Sequence, residues 1–226
     1  ADVRAVFQVV RVAATYGGTM IETDAGVEYA VDVAAGHLVD AGYRVDFVDR
    51  LTSMSEGLTV GPGIDDPDLT PLVSATQLER VSGFAQRALD EGATAASGGR
   101  AVERDGYFME PTVLVEVDPS SEVAREEVFG PVLSVLTADS PDAAVALANA
   151  TDYGLAAGVF TRDLDRALWT ADRLHAGQVY VNEWFAGGVE TPFGGFRRSG
   201  YGREKGQEAL ANYHQSKNVG IRIRQP

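Results

Sequence analysis

A chain of 226 residues that is 45% hydrophobic and contains no cysteine can bury a core without a disulfide, and its composition argues against disorder. Nineteen Lys and Arg against 33 Asp and Glu leave a formal net charge of −14. That charge repels phosphate backbones and anionic membrane surfaces, so neither nucleic acid nor a membrane is an expected partner. Only Lys205 and Lys217 among the basic residues are lysines, a bias suggesting a GC-rich bacterial genome. No basic leader followed by an apolar stretch opens the chain, and no apolar run is long enough to span a bilayer. A cytoplasmic protein is the expectation.

In chain order, the segment Glu22 to His37 mixes Glu22, Asp24, Glu28, Tyr29, Asp32 and His37 with little periodicity. Tyr43 to Met54 reads as a short helix. Glu56 to Thr70, rich in Gly, Pro and Asp, reads as a surface loop. Leu78, Val81, Ala85, Ala88 and Leu89 recur at helical spacing, and Gly92 closes that helix. From Pro131 onward the pattern is strand, helix, strand, helix, strand. Val132–Thr137 is a short apolar run. Ser140-Pro141 opens a helix carrying Ala144, Val145 and Ala148 on one face. Leu155–Thr161 is a second strand. Asp163 caps a helix with Leu164, Ala167, Leu168 and Ala171 on one face, and Val179–Asn182 is a third strand. This alternation predicts an α/β fold with a mostly parallel, doubly wound sheet. Ligands of such sheets are expected beyond the carboxyl ends of the strands, here near Thr137, Thr161 and Asn182. At the end, Val219, Ile221 and Ile223 alternate with Asn218, Gly220 and Arg222, predicting a terminal strand from about Ser216 that seeks a partner. The expected division is one domain over 1–215 and a tail over 216–226.

Glu126-Glu127-Val128-Phe129-Gly130-Pro131-Val132 is similar to a segment of the aldehyde dehydrogenases, and so is Gly106-Tyr107-Phe108-Met109-Glu110-Pro111-Thr112-Val113. Tyr153–Thr161, Gly177–Asn182 and Pro192-Phe193-Gly194-Gly195-Phe196, followed by Ser199-Gly200 and Gly202-Arg203-Glu204, also resemble that family in order and spacing. The chain therefore resembles its C-terminal catalytic domain, without the nucleotide-binding domain that precedes it there. The resemblance implies that Glu127 holds ribose hydroxyls and Phe129 touches nicotinamide. It also implies that the tail joins an oligomerisation sheet, so a homodimer or larger assembly is expected. The catalytic thiol of the family falls at Ile21 when counted forward from Ala1 and at Val31 when counted back from Val39-Asp40-Ala41. Neither residue is a nucleophile, so thiohemiacetal chemistry is not available to these residues.

Three functional readings follow. The first is a repurposed, non-redox enzyme that cyclises, isomerises, dehydrates or hydrolyses a carbonyl-bearing small molecule, with no cofactor. Its catalytic candidates are Glu22, Glu28, Tyr29 and His37, with Asn182 as oxyanion donor. Glu127, Phe129, Trp184 and Phe185 would line the substrate pocket. The second is an inactive scaffold subunit, and the third is one part of a divided NAD(P)-dependent dehydrogenase. Each residue has a plainer role as well: a solvated acidic segment for Glu22–His37, and core packing for Trp184 and Phe185. The histidines His37, His175 and His214 are too scattered for a metal site, and Asp65-Asp66-Pro67-Asp68 lacks the ligand ladder of a calcium loop.

Overall fold

The computed structural model describes residues 5–9, 19–22, 28–31, 37–40, 44–183 and 187–223, with the backbone alone described before Phe47. In chain order the strands are β1 (Ala5–Val9), β2 (Thr19–Glu22), β3 (Glu28–Val31), β4 (His37–Asp40), β5 (Thr94–Ser97), β6 (Thr112–Val115), β7 (Val132–Ala138), β8 (Ala156–Phe160) and β9 (Gln178–Val181). The helices are α1 (Arg44–Gly57), α2 (Ala75–Asp90), α3 (Glu122–Arg125), α4 (Pro141–Ala148) and α5 (Leu164–Arg173). Seven strands form one sheet in the order β5-β6-β7-β4-β1-β8-β9, and β2 pairs with β3 as a separate two-stranded sheet.

Within the large sheet β4, β6, β7, β8 and β9 run in one direction. β1 lies antiparallel between β4 and β8, and β5 is antiparallel to β6 at the edge. The mostly parallel reading therefore holds, and the antiparallel intruder β1 was not anticipated. Side-chain alternation along β7 explains the layers. Leu133 and Val135 face α1 through Phe47 and Leu51. Val132 faces α2 through Val81 and Phe84, while Leu136 and Ala138 face α4 through Ala144 and Ala148. With helices on both faces, β6, β7 and β8 are buried almost throughout, as their continuous apolar runs require.

The caps behave as the sequence implies. Ser74 Oγ accepts from Gln77 N at 3.2 Å, Ser140 Oγ from Ala143 N at 3.1 Å, and Asp163 Oδ1 from Arg166 N at 3.1 Å. Gly92, at φ 104°, ends α2 with its N–H on Leu89 O, and Ala93 N donates to Ala88 O. The loop before α2 is stapled by Thr59 and Asp68, whose carboxylate accepts from Thr59 N at 2.8 Å and Thr59 Oγ1 at 2.6 Å. Asp68 thus serves a turn, and no cluster of potential metal ligands occurs among the described residues. No described helix is long and apolar enough to cross a membrane.

One expectation fails. Leu164 and Leu168 are 70% and 60% exposed; α5 instead buries Ala167 and Thr170. Small residues face the sheet because α5 closes on β8 and β9 through them. In the single chain residues 214–223 carry no regular structure, and Val219, Ile221 and Ile223 are exposed. Period-two alternation supplies a strand's side-chain pattern but not its hydrogen-bonding neighbour.

The Thr170 hydroxyl is fully buried and has no hydrogen-bond partner among the described residues. A buried hydroxyl without a partner costs about 1–3 kcal/mol. Thr170→Val removes that hydroxyl while keeping the branched shape, and it should raise the thermal midpoint. A lowered midpoint in differential scanning calorimetry would show that the hydroxyl is satisfied in solution.

Candidate functional site

The family-like segments meet at the amino edge of the parallel strands, not at the carboxyl edge expected from the strand pattern. Residues 126–131 lead into β7, Tyr153–Leu155 into β8, and Gly177 into β9. The chain leaving β9 turns back and lays residues 192–200 across those three entries. Phe196 N donates to Gly154 O at 2.8 Å, Gly177 N to the same carbonyl at 3.1 Å, and Gly154 N to Ser199 Oγ at 3.0 Å. Gln178 Nε2 donates to Pro192 O at 2.9 Å. Backbone passes so close to backbone that side chains are excluded. A Cβ on Gly177 would lie 1.8 Å from Gly194 O, and one on Gly154 would lie 2.4 Å from His175 O.

Side chains then join the three segments. Tyr153 Oη donates to Glu126 Oε2 at 3.0 Å, and Arg198 Nη1 donates to Glu126 Oε1 at 3.2 Å. The Arg198 guanidinium also stacks 4.7 Å from the Tyr153 ring centroid. Both oxygens of Glu126 are therefore engaged. Burial first, and then the hydrogen bond to Glu126, push the Tyr153 phenol above its ordinary range. The neighbouring Arg197 donates to Asn149 O at 3.1 Å and Thr151 O at 2.7 Å.

Beside this junction α2 grips the next residues. Arg80 Nη2 donates to Glu127 O at 2.7 Å, Arg80 Nη1 donates to Val128 O, and Gln77 Nε2 donates to Phe129 O at 2.8 Å. Phe129 stands at φ 63° and is 45% exposed as a residue. Gly130 presses on α2, where a Cβ would come within 2.6 Å of Val81.

The residues expected to form a site are dispersed. Glu127 and Phe129 lie at the amino edge. Asn182 lies at the opposite edge, just past β9 at φ 54°. Its Oδ1 accepts from Thr161 N and its Nδ2 donates to Thr161 O, both at 2.8 Å. The amide thus extends the β8–β9 ladder. Glu22 opposes Glu28, and Ile21 opposes Tyr29, on the β2–β3 hairpin. His37 begins β4 in the large sheet, opposite Phe7 and Val135. The four acid–base candidates are thus divided between two sheets, and their side chains lie outside the described residues, as do Trp184 and Phe185. Glu126, Tyr153, Arg198, Gln77 and Arg80 were not anticipated. Glu126 and Tyr153 sit inside the recognised segments and Arg198 between two parts of one, where only chemistry beyond glycine and aromatic content would have flagged them.

The sequence profile of the aldehyde dehydrogenase family matches residues 34–219. A betaine aldehyde dehydrogenase of Rhizobium leguminosarum is 41% identical over 187 residues, covering 81% of this chain and 38% of that protein. A putative aldehyde dehydrogenase, DhaS, of Bacillus subtilis is 41% identical over 197 residues, covering 83% and 40%. Among solved structures, the NAD+ complex of aldehyde dehydrogenase from Bacillus cereus superimposes with a TM-score of 0.79 at 38% identity, covering 83% of this chain and 38% of that one. A betaine aldehyde dehydrogenase from Staphylococcus aureus in complex with NAD+ gives 0.74 at 36% identity, covering 78% and 36%. The chain thus spans about two fifths of the length of the curated relatives it matches.

Gly177→Ala should cost at least about 2 kcal/mol, because a backbone carbonyl occupies the space its methyl needs; an unchanged denaturation midpoint would contradict this packing. The raised phenol of Tyr153 binds its proton more tightly folded than unfolded. Its stabilisation is complete below the ordinary tyrosine value of about 10 and is lost as pH rises through the folded value. In an alkaline absorbance titration, Tyr153→Phe should remove a late-ionising phenol; loss of an early one would reverse the assignment.

Proposed function

The chain belongs to the aldehyde dehydrogenase family, and from that premise we propose that these residues form the carbonyl- and nicotinamide-facing part of an aldehyde-dehydrogenase-type protein. In this reading the amino edge binds a carbonyl-bearing small molecule without covalent capture. The carrying observation is the meeting of the Glu126–Pro131, Tyr153–Leu155 and Pro192–Gly200 segments there, beside an exposed Phe129 ring.

The residues present fit a nicotinamide nucleotide. Phe129 offers an aromatic face, Glu127 supplies a carboxylate two residues away, and α2 fixes the backbone of both. A bound nicotinamide would supply hydride-accepting chemistry. The chain's own share is to seat the ring against Phe129, hold ribose hydroxyls with Glu127, and carry the neighbouring loop on Arg198 and Tyr153. Thiol capture is not part of that share, because none of the 226 residues is cysteine.

The same absence favours a second reading: non-redox acid–base chemistry on a carbonyl substrate, carried by Glu22, Glu28, Tyr29 and His37, with Trp184 and Phe185 as pocket walls and Asn182 at the far edge. In both readings the tail from about Ser216, irregular in the single chain, becomes a strand on pairing between copies, giving a homodimer or larger assembly.

The purified chain should bind a small aldehyde and nicotinamide mononucleotide saturably in calorimetric titrations, with Phe129→Ala weakening the nucleotide several-fold. Absence of binding for both ligands would sink the first reading. Formation of acid together with reduced nucleotide by the chain alone would sink the noncovalent claim. Nucleotide-independent consumption of the aldehyde, abolished in His37→Asn or Glu28→Gln, would establish the second reading instead.

A further inference from the structure

We propose that Asp105 is a site of spontaneous covalent modification, at which its carboxyl cyclises with the Gly106 amide and reopens as isoaspartate. The site is independent of whatever the amino edge binds. Asp105-Gly106 is the sole Asp-Gly in the sequence, and no Asn-Gly occurs. In the first step Gly106 N bonds to Cγ of Asp105. The C–OH bond of the neutral carboxyl breaks, and water leaves with that hydroxyl and the amide proton. Hydrolysis of the succinimide at the Asp105 main-chain carbonyl then breaks the bond from that carbon to Gly106 N. The main chain now runs through Cβ and Cγ and is one carbon longer. Water is the only co-reactant.

Residues 103–107 are exposed and form the tip of a loop whose arms meet at Ala101 and Met109. At the base of the tip Val102 N donates to Phe108 O, and Arg104 N to Val102 O, both at 2.9 Å. At its apex neither the Asp105 carboxylate nor the Gly106 N–H has a hydrogen-bond partner among the described residues. The attacking nitrogen and the carboxyl are therefore both open to water, and no side chain on residue 106 hinders the approach. The fold also demands this glycine. Gly106 stands at φ 116°, and a Cβ there would lie 2.4 Å from Cε2 of Phe108. That ring is buried, with the Arg104 guanidinium 4.5 Å from its centroid. Next to it, Tyr107 O accepts from Leu72 N at 2.8 Å, two residues before the Ser74 cap of α2. A longer main chain at residue 105 thus presses Gly106 on Phe108 and disturbs the bond that ties down the approach to α2.

The full chain, held warm in mildly acidic buffer, should acquire isoaspartate at residue 105, read by peptide mapping and by methyl transfer from an isoaspartate-specific methyltransferase. The rate in the folded chain should fall within about tenfold of that in urea, since exposed loop tips open at almost no cost. Asp105→Glu should abolish the signal, because the larger imide ring closes far more slowly, and should leave the melting midpoint of fresh protein unchanged. After incubation the parent should melt a few degrees below Asp105→Glu treated alike, with faster amide exchange at Leu72. Isoaspartate at residue 105 in urea but not in the folded chain overturns the proposal. Isoaspartate spread evenly over the exposed aspartates overturns it as well, because nothing would then single out this loop. Modification at residue 105 with midpoint and exchange unchanged upholds the site and overturns its effect on Phe108 and Leu72.

Discussion

The arrangement at the amino edge depends on backbone meeting backbone at Gly154 and Gly177. The charged contacts nearby are too weak to build it. Arg198 and Glu126 are half exposed, so solvent screens their attraction and leaves it weak. A methyl group at Gly177 would instead collide with the Gly194 carbonyl, a cost no exposed ion pair offsets. Shape therefore brings residues 192–200 back across the sheet, and the amides of Phe196 and Gly177 share Gly154 O as a consequence. Arg198, Tyr153 and Glu126 then select one register within an approach that the glycines permit.

A similar comparison settles why Phe129 can hold an unfavourable conformation. The strain is about 1–3 kcal/mol. Against it stand hydrogen bonds from a charged guanidinium, each contributing about 1.5–3 kcal/mol, and a neutral one from Gln77 of about 0.5–1.5 kcal/mol. The loop is therefore stable as formed before any ligand arrives. Preorganisation of this kind lowers the ordering cost of binding.

The run from β7 to β9 was legible because its signals are local. Ser140, Pro141 and Asp163 mark helix starts by the hydrogen bonds they are able to make, and the structure shows those bonds. The continuous apolar runs of β7 and β8 announced strands covered on both faces. What could not be read depends on pairs distant in sequence. The placement of β1 between β4 and β8 is set by sheet order, on which a five-residue apolar run is silent. The exposure of Leu164 and Leu168 follows from how closely α5 approaches β8 and β9. The meeting of the family-like segments at the amino edge went unread for a related reason. Strand direction suggests the carboxyl ends, yet the segment after β9 travels back over the amino ends, and only Gly154 and Gly177 hint at that route. Glu127 and Phe129 were named through their segment, whereas Gln77 and Arg80, 47 and more positions earlier, carry no local mark of their contacts with it.

The family profile begins at residue 34, after both Ile21 and Val31, the positions where a thiol was expected. Everything that shapes the amino edge lies inside the match: α2, the Glu126–Gly130 loop, Tyr153 and the Pro192–Gly200 return. Among the described residues, Tyr153, Arg198, Gln77 and Arg80 hold Glu126 to Phe129. Recognition of a flat ring by Phe129 needs an exposed face and a fixed backbone, and it needs no nucleophile.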